Sequence, residues 1–163
     1  MNNNNDKNDQ ENLKSFKKLK GRIKKFDINL YNKYDLPARE IIKQKLGDFV
    51  KDNPNIYEQD LILQDNECRY KYLELQVCVA WIYNNYPYKF PFIYERKSNF
   101  SEKTLFIILS KHMDQGLIFD KNALNEKPRR IKKYSRYFIN EAYWHKVLPF
   151  YTKYLDIKLL RMY

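Results

Sequence analysis

Cysteine and histidine are nearly missing from this chain, with two of each among 163 residues. Cys68 and Cys78 cannot supply a disulfide framework, and together with His112 and His145 they do not make a four-ligand zinc site, so secreted disulfide scaffolds and zinc fingers are excluded. Also lacking is any run of about 18 uncharged apolar residues, and the first thirty positions hold no apolar stretch of the signal-peptide kind. Neither a membrane span nor a secretory signal is expected. The chain reads as an intracellular protein of cytoplasm, nucleus or virion, with no membrane partner. No internal repeat is seen. The length suits one domain with a loose tail and is enough for a substantial core.

Positive charge is abundant and unevenly placed. Lys and Arg number 31 against 20 Asp and Glu, a net +11. The excess is +4 over residues 1–35, −1 over 36–120, +6 over 121–136 and +2 over 137–163. Two basic runs therefore flank a nearly neutral centre: Lys17, Lys18, Lys20, Arg22, Lys24 and Lys25, then Arg129, Arg130, Lys132, Lys133 and Arg136. Like charges in series repel one another unless a polyanion lies nearby, and a nucleic-acid backbone is the natural polyanion. A single such run is commonly no more than a solvated face or a targeting signal. Two in one small chain favour nucleic acid, DNA ahead of RNA; a homodimer is left open. Lys, Asn, Tyr, Ile and Phe fill almost half of the sequence, the bias of an AT-rich genome such as that of a large DNA virus.

Residues 1–12 are polar and low in complexity, with too little apolar surface to offset ordering entropy, and read as a disordered tail. Residues 13–34 form a basic segment, and residues 35–163 a single domain containing the second basic run, 127–136. Asp35-Leu36-Pro37 resembles a helix entry, and Ile42, Leu46, Phe49 and Val50 recur at helical spacing until Asn53-Pro54, which predicts a helix over 37–51. Leu61-Ile62-Leu63 and Arg69 to Val79 read as a strand hairpin. Strand-like runs follow at 91–96, 104–109 and 117–119, and a last helix is expected over 150–161. Strands outnumber helices, so the expected class is α/β (α+β), a mixed sheet flanked by helices.

In the second of these strands Lys71, Leu73, Leu75, Val77 and Val79 point one way and Tyr70, Tyr72, Glu74, Gln76 and Cys78 the other. A carboxylate and an amide thus share one face, roughly 6.6 Å apart along the strand. Such a pair can hold a metal ion with one member and orient a water or phosphate with the other. Asp60, at the entry of the preceding strand, supplies a second carboxylate, and Glu40 on the helix a further acid.

Glu40 on an early helix, Asp60 entering a strand and Glu74-x-Gln76 on the next resemble the PD-(D/E)xK nuclease superfamily, the restriction-endonuclease-like fold, with spacing most similar to archaeal Holliday-junction resolvases. The resemblance covers roughly residues 37–80. It implies a restriction-endonuclease-like mixed sheet, an auxiliary helix acid in Glu40, a magnesium ion held by Asp60 and Glu74, and Gln76 as the water-positioning residue in the place where lysine is usual. Asn53-Pro54-Asn55 does not provide the Pro-Asp pair of the first motif. The function implied is a magnesium-dependent nuclease acting on phosphodiester bonds. The alternative is a non-catalytic nucleic-acid-binding protein serving packaging, replication or transcription. Magnesium prefers few carboxylates with several waters retained, and as a Lewis acid it can supply hydroxide without a histidine; charge stabilisation would then fall on the ion and on Lys71 or Lys97.

A tight turn centred on Asp65-Asn66 would place Asp60 opposite Lys71, roughly 10 Å along the strand from Glu74. A second reading takes Glu74 as the first acid and Glu95-Arg96-Lys97 as a literal E-x-K motif; the Asp60/Glu74/Gln76 reading is preferred. Each residue also has an ordinary structural role open to it. Glu74 and Gln76 suit a half-solvated strand face, Asp60 a turn, and Glu40 a surface pairing with Lys43 or Gln44. The aromatics Tyr143-Trp144-His145, and the alternating Tyr86, Tyr88, Phe90, Phe92 and Tyr94, suit packing better than base stacking.

Overall fold

The structure is a computed structural model that describes residues 27–124, 129–131, 134–138, 148–150 and 155–163. The tail 1–12, the basic run 14–25, Lys132, Lys133 and the aromatics 143–145 lie outside those residues. Helical structure begins earlier than the sequence implies. Asp27, not Asp35, caps it, accepting from the Asn29 and Leu30 amides at 3.0 and 3.3 Å. A turn at Ile28–Leu30 runs into a π-helical turn, Tyr31–Asp35, and then into helix α1, Leu36–Leu46. The wide turn has a cause in Pro37: the ring has no N–H to give to the preceding turn and would press on its carbonyl, and an inserted residue relieves both.

Helix α1 stops five residues short of the prediction. Gly47 follows with φ +56°, a conformation that glycine adopts freely, and Phe49 and Val50 leave the helix. After a 3₁₀ turn the chain enters strand β1, Val50–Asp52, then β2, Leu61–Leu63, and β3, Tyr72–Cys78. Strand β4, Phe92–Tyr94, and the 3₁₀ helix Glu95–Asn99 lie in the crossover to β5, Thr104–Ser110. The remaining elements are β6 (Gly116–Asp120), β7 (Arg129–Ile131), β8 (Tyr134–Phe138), β9 (Leu148–Phe150) and a short C-terminal helix α2, Ile157–Arg161. The predicted helix over 150–161 is thus a strand at its start and a helix at its end.

Six strands form a mixed sheet in the order β1-β2-β3-β5-β6-β9, with β3 and β5 parallel and every other neighbour antiparallel. The fold is α/β with a mixed sheet, as the strand count implied. Strand β5 is central and buried at all seven positions, which explains its unbroken apolar run rather than an alternating one. Its residues feed two cores. Leu105, Ile107 and Leu109 join Leu73, Leu75 and the Ala38, Ile42 and Leu46 stripe of α1. Phe106 and Ile108 join Leu117, Phe119, Trp81 and Ile93 on the opposite face, where Phe106 and Phe119 stack at 5.6 Å. Burial of each such side chain is worth about 1.5–3 kcal/mol. A second sheet, β4-β8-β7, takes in part of the basic run 127–136, and its Ile93 belongs to this second core. The polar face of β3 therefore lies beneath another layer.

The aromatics of 86–94 do not form one long strand; only Phe92–Tyr94 is extended. Trp81, Tyr86, Tyr88, Phe92 and Tyr94 instead make a chain of edge and tilted ring contacts 5.3–6.4 Å apart, and packing accounts for them. Among the described residues no helix is long and apolar enough to cross a membrane.

Candidate functional site

The register between β2 and β3 decides whether Asp60 and Glu74 can meet. Leu61 pairs with Leu73 and Ile62 with Tyr72, so one step further along the ladder Asp60 stands opposite Glu74. The tight turn considered above does not form. Residues 64–71 make a longer loop in which Asp65 accepts from the Cys68 thiol at 3.2 Å and from Arg161 of α2 at 2.7 and 3.1 Å. Holding Asp65 to the C-terminal helix keeps it out of a hairpin turn, and β3 starts at Tyr72 rather than Arg69.

Asp60 and Glu74 are joined directly, the Asp60 amide donating to Glu74 Oε2 at 3.2 Å. Asp60 Oδ2 accepts from the Leu75 amide at 2.8 Å, and its Oδ1 accepts from Arg39 of α1 at 2.7 Å. Lys97, on the 3₁₀ helix after β4, closes the group: its Nζ lies 2.8 Å from Glu74 Oε1 and donates to the Leu75 carbonyl at 3.2 Å. Glu74 is only 6% exposed and Lys97 8%. The half-solvated strand face expected for Glu74 is corrected by this burial, whose cause is the layer of β4 and its following turn. Gln76, further along the same face, donates through Nε2 to the Phe92 carbonyl at 3.1 Å, while its Oε1 is buried with no hydrogen-bond partner.

Burial pushes the Glu74 carboxyl up to about 7, aided by the nearby charge of Asp60 and opposed by Lys97 and the Asp60 amide. Asp35, at the end of the π-helical turn, feels the same cluster. Its carboxyl is raised, first by the protein packed around it and next by Asp60, against the pull of Lys97, Arg39 and Arg96. Three acids thus share one electrostatic neighbourhood, although among the described residues no three His, Cys, Asp or Glu side chains are grouped closely enough to hold one ion together.

The structure brings together Asp60 and Glu74 of the sequence reading, while Gln76 shares the Glu74 face of β3 but is bonded to the Phe92 carbonyl. Glu40 stays apart, paired with Lys43 at 2.8 Å on an exposed flank of α1, which is the surface role considered for it. Asp35 is the helical acid within electrostatic reach of Asp60. Parts of the two rival motif readings meet: Glu74 belongs to both, Asp60 to the first and Lys97 to the second, whereas the Glu95 backbone carbonyl accepts from the Ser98 hydroxyl at 2.6 Å. Sequence reasoning missed Arg39, Asp35 and the Leu75 carbonyl. Only the E-x-K spacing at 95–97 carried any signal for Lys97, and a backbone carbonyl leaves none. Arg129, Arg130 and Arg136 lie on β7 and β8, where Arg129 and Arg136 are ladder partners.

The donors present suit a hard divalent cation. The Glu74 carboxylate and the Leu75 carbonyl oxygen both reach Lys97 Nζ, the Asp60 carboxylate sits on the Leu75 amide, and Gln76 Oε1, two residues along β3 from Glu74, is a buried acceptor without a partner. An all-oxygen, two-carboxylate set of this kind leaves room for coordinated water, as magnesium requires. Compared with protein-family models, curated proteins and solved structures, the chain matches none.

Proposed function

We propose that this protein is a magnesium-dependent nuclease-like protein acting on nucleic-acid phosphodiester bonds, with a restriction-endonuclease-like core. One observation carries the reading: Asp60 and Glu74, fourteen residues apart, are hydrogen-bonded neighbours on adjacent strands. The Asp60 carboxylate is in turn fixed on the Leu75 amide, so both acids are held at the same point of β3. The order of elements, a helix, then a strand hairpin bearing the acids, then a crossover, agrees with the resemblance.

Asp60, Glu74 and the Leu75 carbonyl are the groups that would hold the ion. When bound, magnesium polarises the scissile phosphate and supplies hydroxide at neutral pH. Arg39 fixes the Asp60 carboxylate from α1, so that its second oxygen remains on the Leu75 amide. Gln76 Oε1 is free to accept from the attacking water and aim it. Lys97 brings the positive charge that the resemblance expects two residues after the glutamate, where Gln76 stands instead. The basic runs around Lys17 to Lys25 and Arg129 to Arg136 would track the backbone of the substrate, DNA in preference to RNA.

A second reading, a non-catalytic nucleic-acid-binding protein, is favoured by one specific feature. The Lys97 ammonium already satisfies Glu74 Oε1 and the Leu75 carbonyl, so the cluster is electrically complete without a metal. Incubation with a mixed panel of linear and branched DNA and RNA, with magnesium or EDTA, separates the two. The nuclease reading expects magnesium-dependent cleavage that Glu74→Gln abolishes; binding without cleavage under every condition supports the alternative.

A further inference from the structure

Lys97 Nζ makes two contacts that a metal ion would make. It lies 2.8 Å from Glu74 Oε1 and 3.2 Å from the Leu75 carbonyl oxygen, two oxygens from successive residues of one strand that converge on a single cationic point. A surface ion pair would not recruit a main-chain carbonyl of a central strand, and Lys97 is 8% exposed, so its charge has been brought in from water to this place. We propose that Lys97 is a tethered counter-ion occupying the cation seat, and that a divalent ion binds Glu74 and the Leu75 carbonyl only in exchange for it. This rests on reading the cluster as a cation site, and it adds how that site is controlled.

Charge and space both require the exchange. Glu74, Asp60 and the neighbouring Asp35 are balanced by Lys97, Arg39 and Arg96, so an ion entering beside Lys97 would leave the cluster with excess positive charge at short range, where the low dielectric screens little. The seat cannot hold both, because Nζ already lies at bonding distance from the two oxygens that the ion needs. Lys97 sits on a five-residue 3₁₀ turn, Glu95–Asn99, and its long side chain can swing while that turn stays in place. Once displaced, the ammonium lacks an anion, and a phosphate of bound nucleic acid is a suitable one. Metal occupancy in the free protein should then be low.

The test measures metal directly, with the full-length protein at pH 8, no nucleic acid, and manganese as the probe, followed by electron paramagnetic resonance and calorimetry. Lys97→Met is expected to bind Mn²⁺ about tenfold more tightly or better than the parent, since a like charge at contact distance is removed, and adding Asp60→Asn should cancel the gain. Lys97→Gln, which keeps a donor for the Leu75 carbonyl, should gain in the same direction and covers the case in which the methionine variant folds poorly. In the unmodified protein, amine acetylation read by mass spectrometry should find Lys97 protected without metal and labelled in saturating Mn²⁺. Equal Mn²⁺ affinity in parent and both variants overturns the proposal, as does metal binding that leaves Lys97 protected. Cleavage with unchanged metal affinity removes the counter-ion role and leaves the nuclease standing. Tighter Mn²⁺ binding with no cleavage of any substrate keeps the counter-ion role and removes the nuclease. If neither parent nor variants bind Mn²⁺, both readings fall.

Discussion

The backbone amide of Asp60 donates to the carboxylate of Glu74 at 3.2 Å. That bond needs the β2–β3 register Leu61↔Leu73; a slip of one residue would turn one of the two acids to the opposite face of the sheet. The loop 64–71, tied to α2 through Asp65 and Arg161, therefore has a part in building a site on the far end of the hairpin.

The buried Glu74–Lys97 pair makes Glu74→Ala a structural as well as a chemical lesion. Removing one partner of a buried ion pair costs about 3–5 kcal/mol because the other charge is left uncompensated. A glutamate on the half-solvated strand face that the spacing suggests could be removed with folding nearly intact; the burial of Glu74 and Lys97 revises this. Asp60→Ala should cost less, because Arg39 and Asp60 each keep 17% side-chain exposure and water can replace part of the pairing. Thermal melts in EDTA check the order, and Glu74→Gln is the cleaner probe of chemistry.

Stability should respond to pH through Glu74. Its carboxyl rises from an ordinary 4.5 to about 7 in the folded protein, so between those values the unfolded chain has released the proton while the folded chain still holds it. Stability from this group is therefore full below about 4.5 and declines as pH rises towards 7. The Asp35 carboxyl, also raised, acts in the same direction. Melting temperatures from pH 4 to 8 in EDTA should fall less steeply for Glu74→Gln than for the parent; parallel curves would remove Glu74 as the source.

The Asp65–Arg161 contact should act in the opposite sense. Arg161 holds the Asp65 carboxyl well below the usual carboxylate range, so its stabilisation is present above the ordinary value of 3.8 and is lost as pH falls below it. Arg161→Ala should lower the melting temperature at pH 7, and the difference from the parent should shrink as the pH is taken below 3.8. Because α2 anchors the 64–71 loop, the variant should also show faster hydrogen exchange at Leu61–Leu63.

Gln76→Lys restores the residue usual in the resembled family, yet Lys97 already delivers an ammonium to the same glutamate. A second ammonium on that buried face meets a like charge, and the Phe92 carbonyl loses its amide donor. The expected result is a lower melting temperature and no gain in cleavage in the parent background, with recovery in a Lys97→Met background. Melting curves and cleavage assays of the four combinations decide it.

Binding to any duplex should weaken steeply with salt if the two basic runs track phosphates, because each neutralised phosphate releases condensed counterions. Replacing Arg129, Arg130, Lys132 and Lys133 with glutamine should flatten the slope of log affinity against log salt. An unchanged slope would take the β7–β8 segment out of the interface.

Local pattern was enough for β5 and β6, apolar runs that only a doubly covered sheet can satisfy, which were found within one residue at either end; it did not reveal β1, β7, β8 or β9. It was enough as well to place Asp60, Glu74 and Gln76 on a hairpin. It was not enough where the deciding partner lies far along the chain. The π-helical turn depends on how a helix already under way accommodates Pro37. The register that joins Asp60 to Glu74 depends on Asp65 being held by Arg161, ninety-six residues away. Lys97 reaches Glu74 because β4 and its following turn fold over the polar face of β3, a contact between layers that no periodicity encodes. Spacing along one strand records which face a side chain takes; what covers that face, and so whether a glutamate meets water or a buried ammonium, is set by the packing of layers against each other.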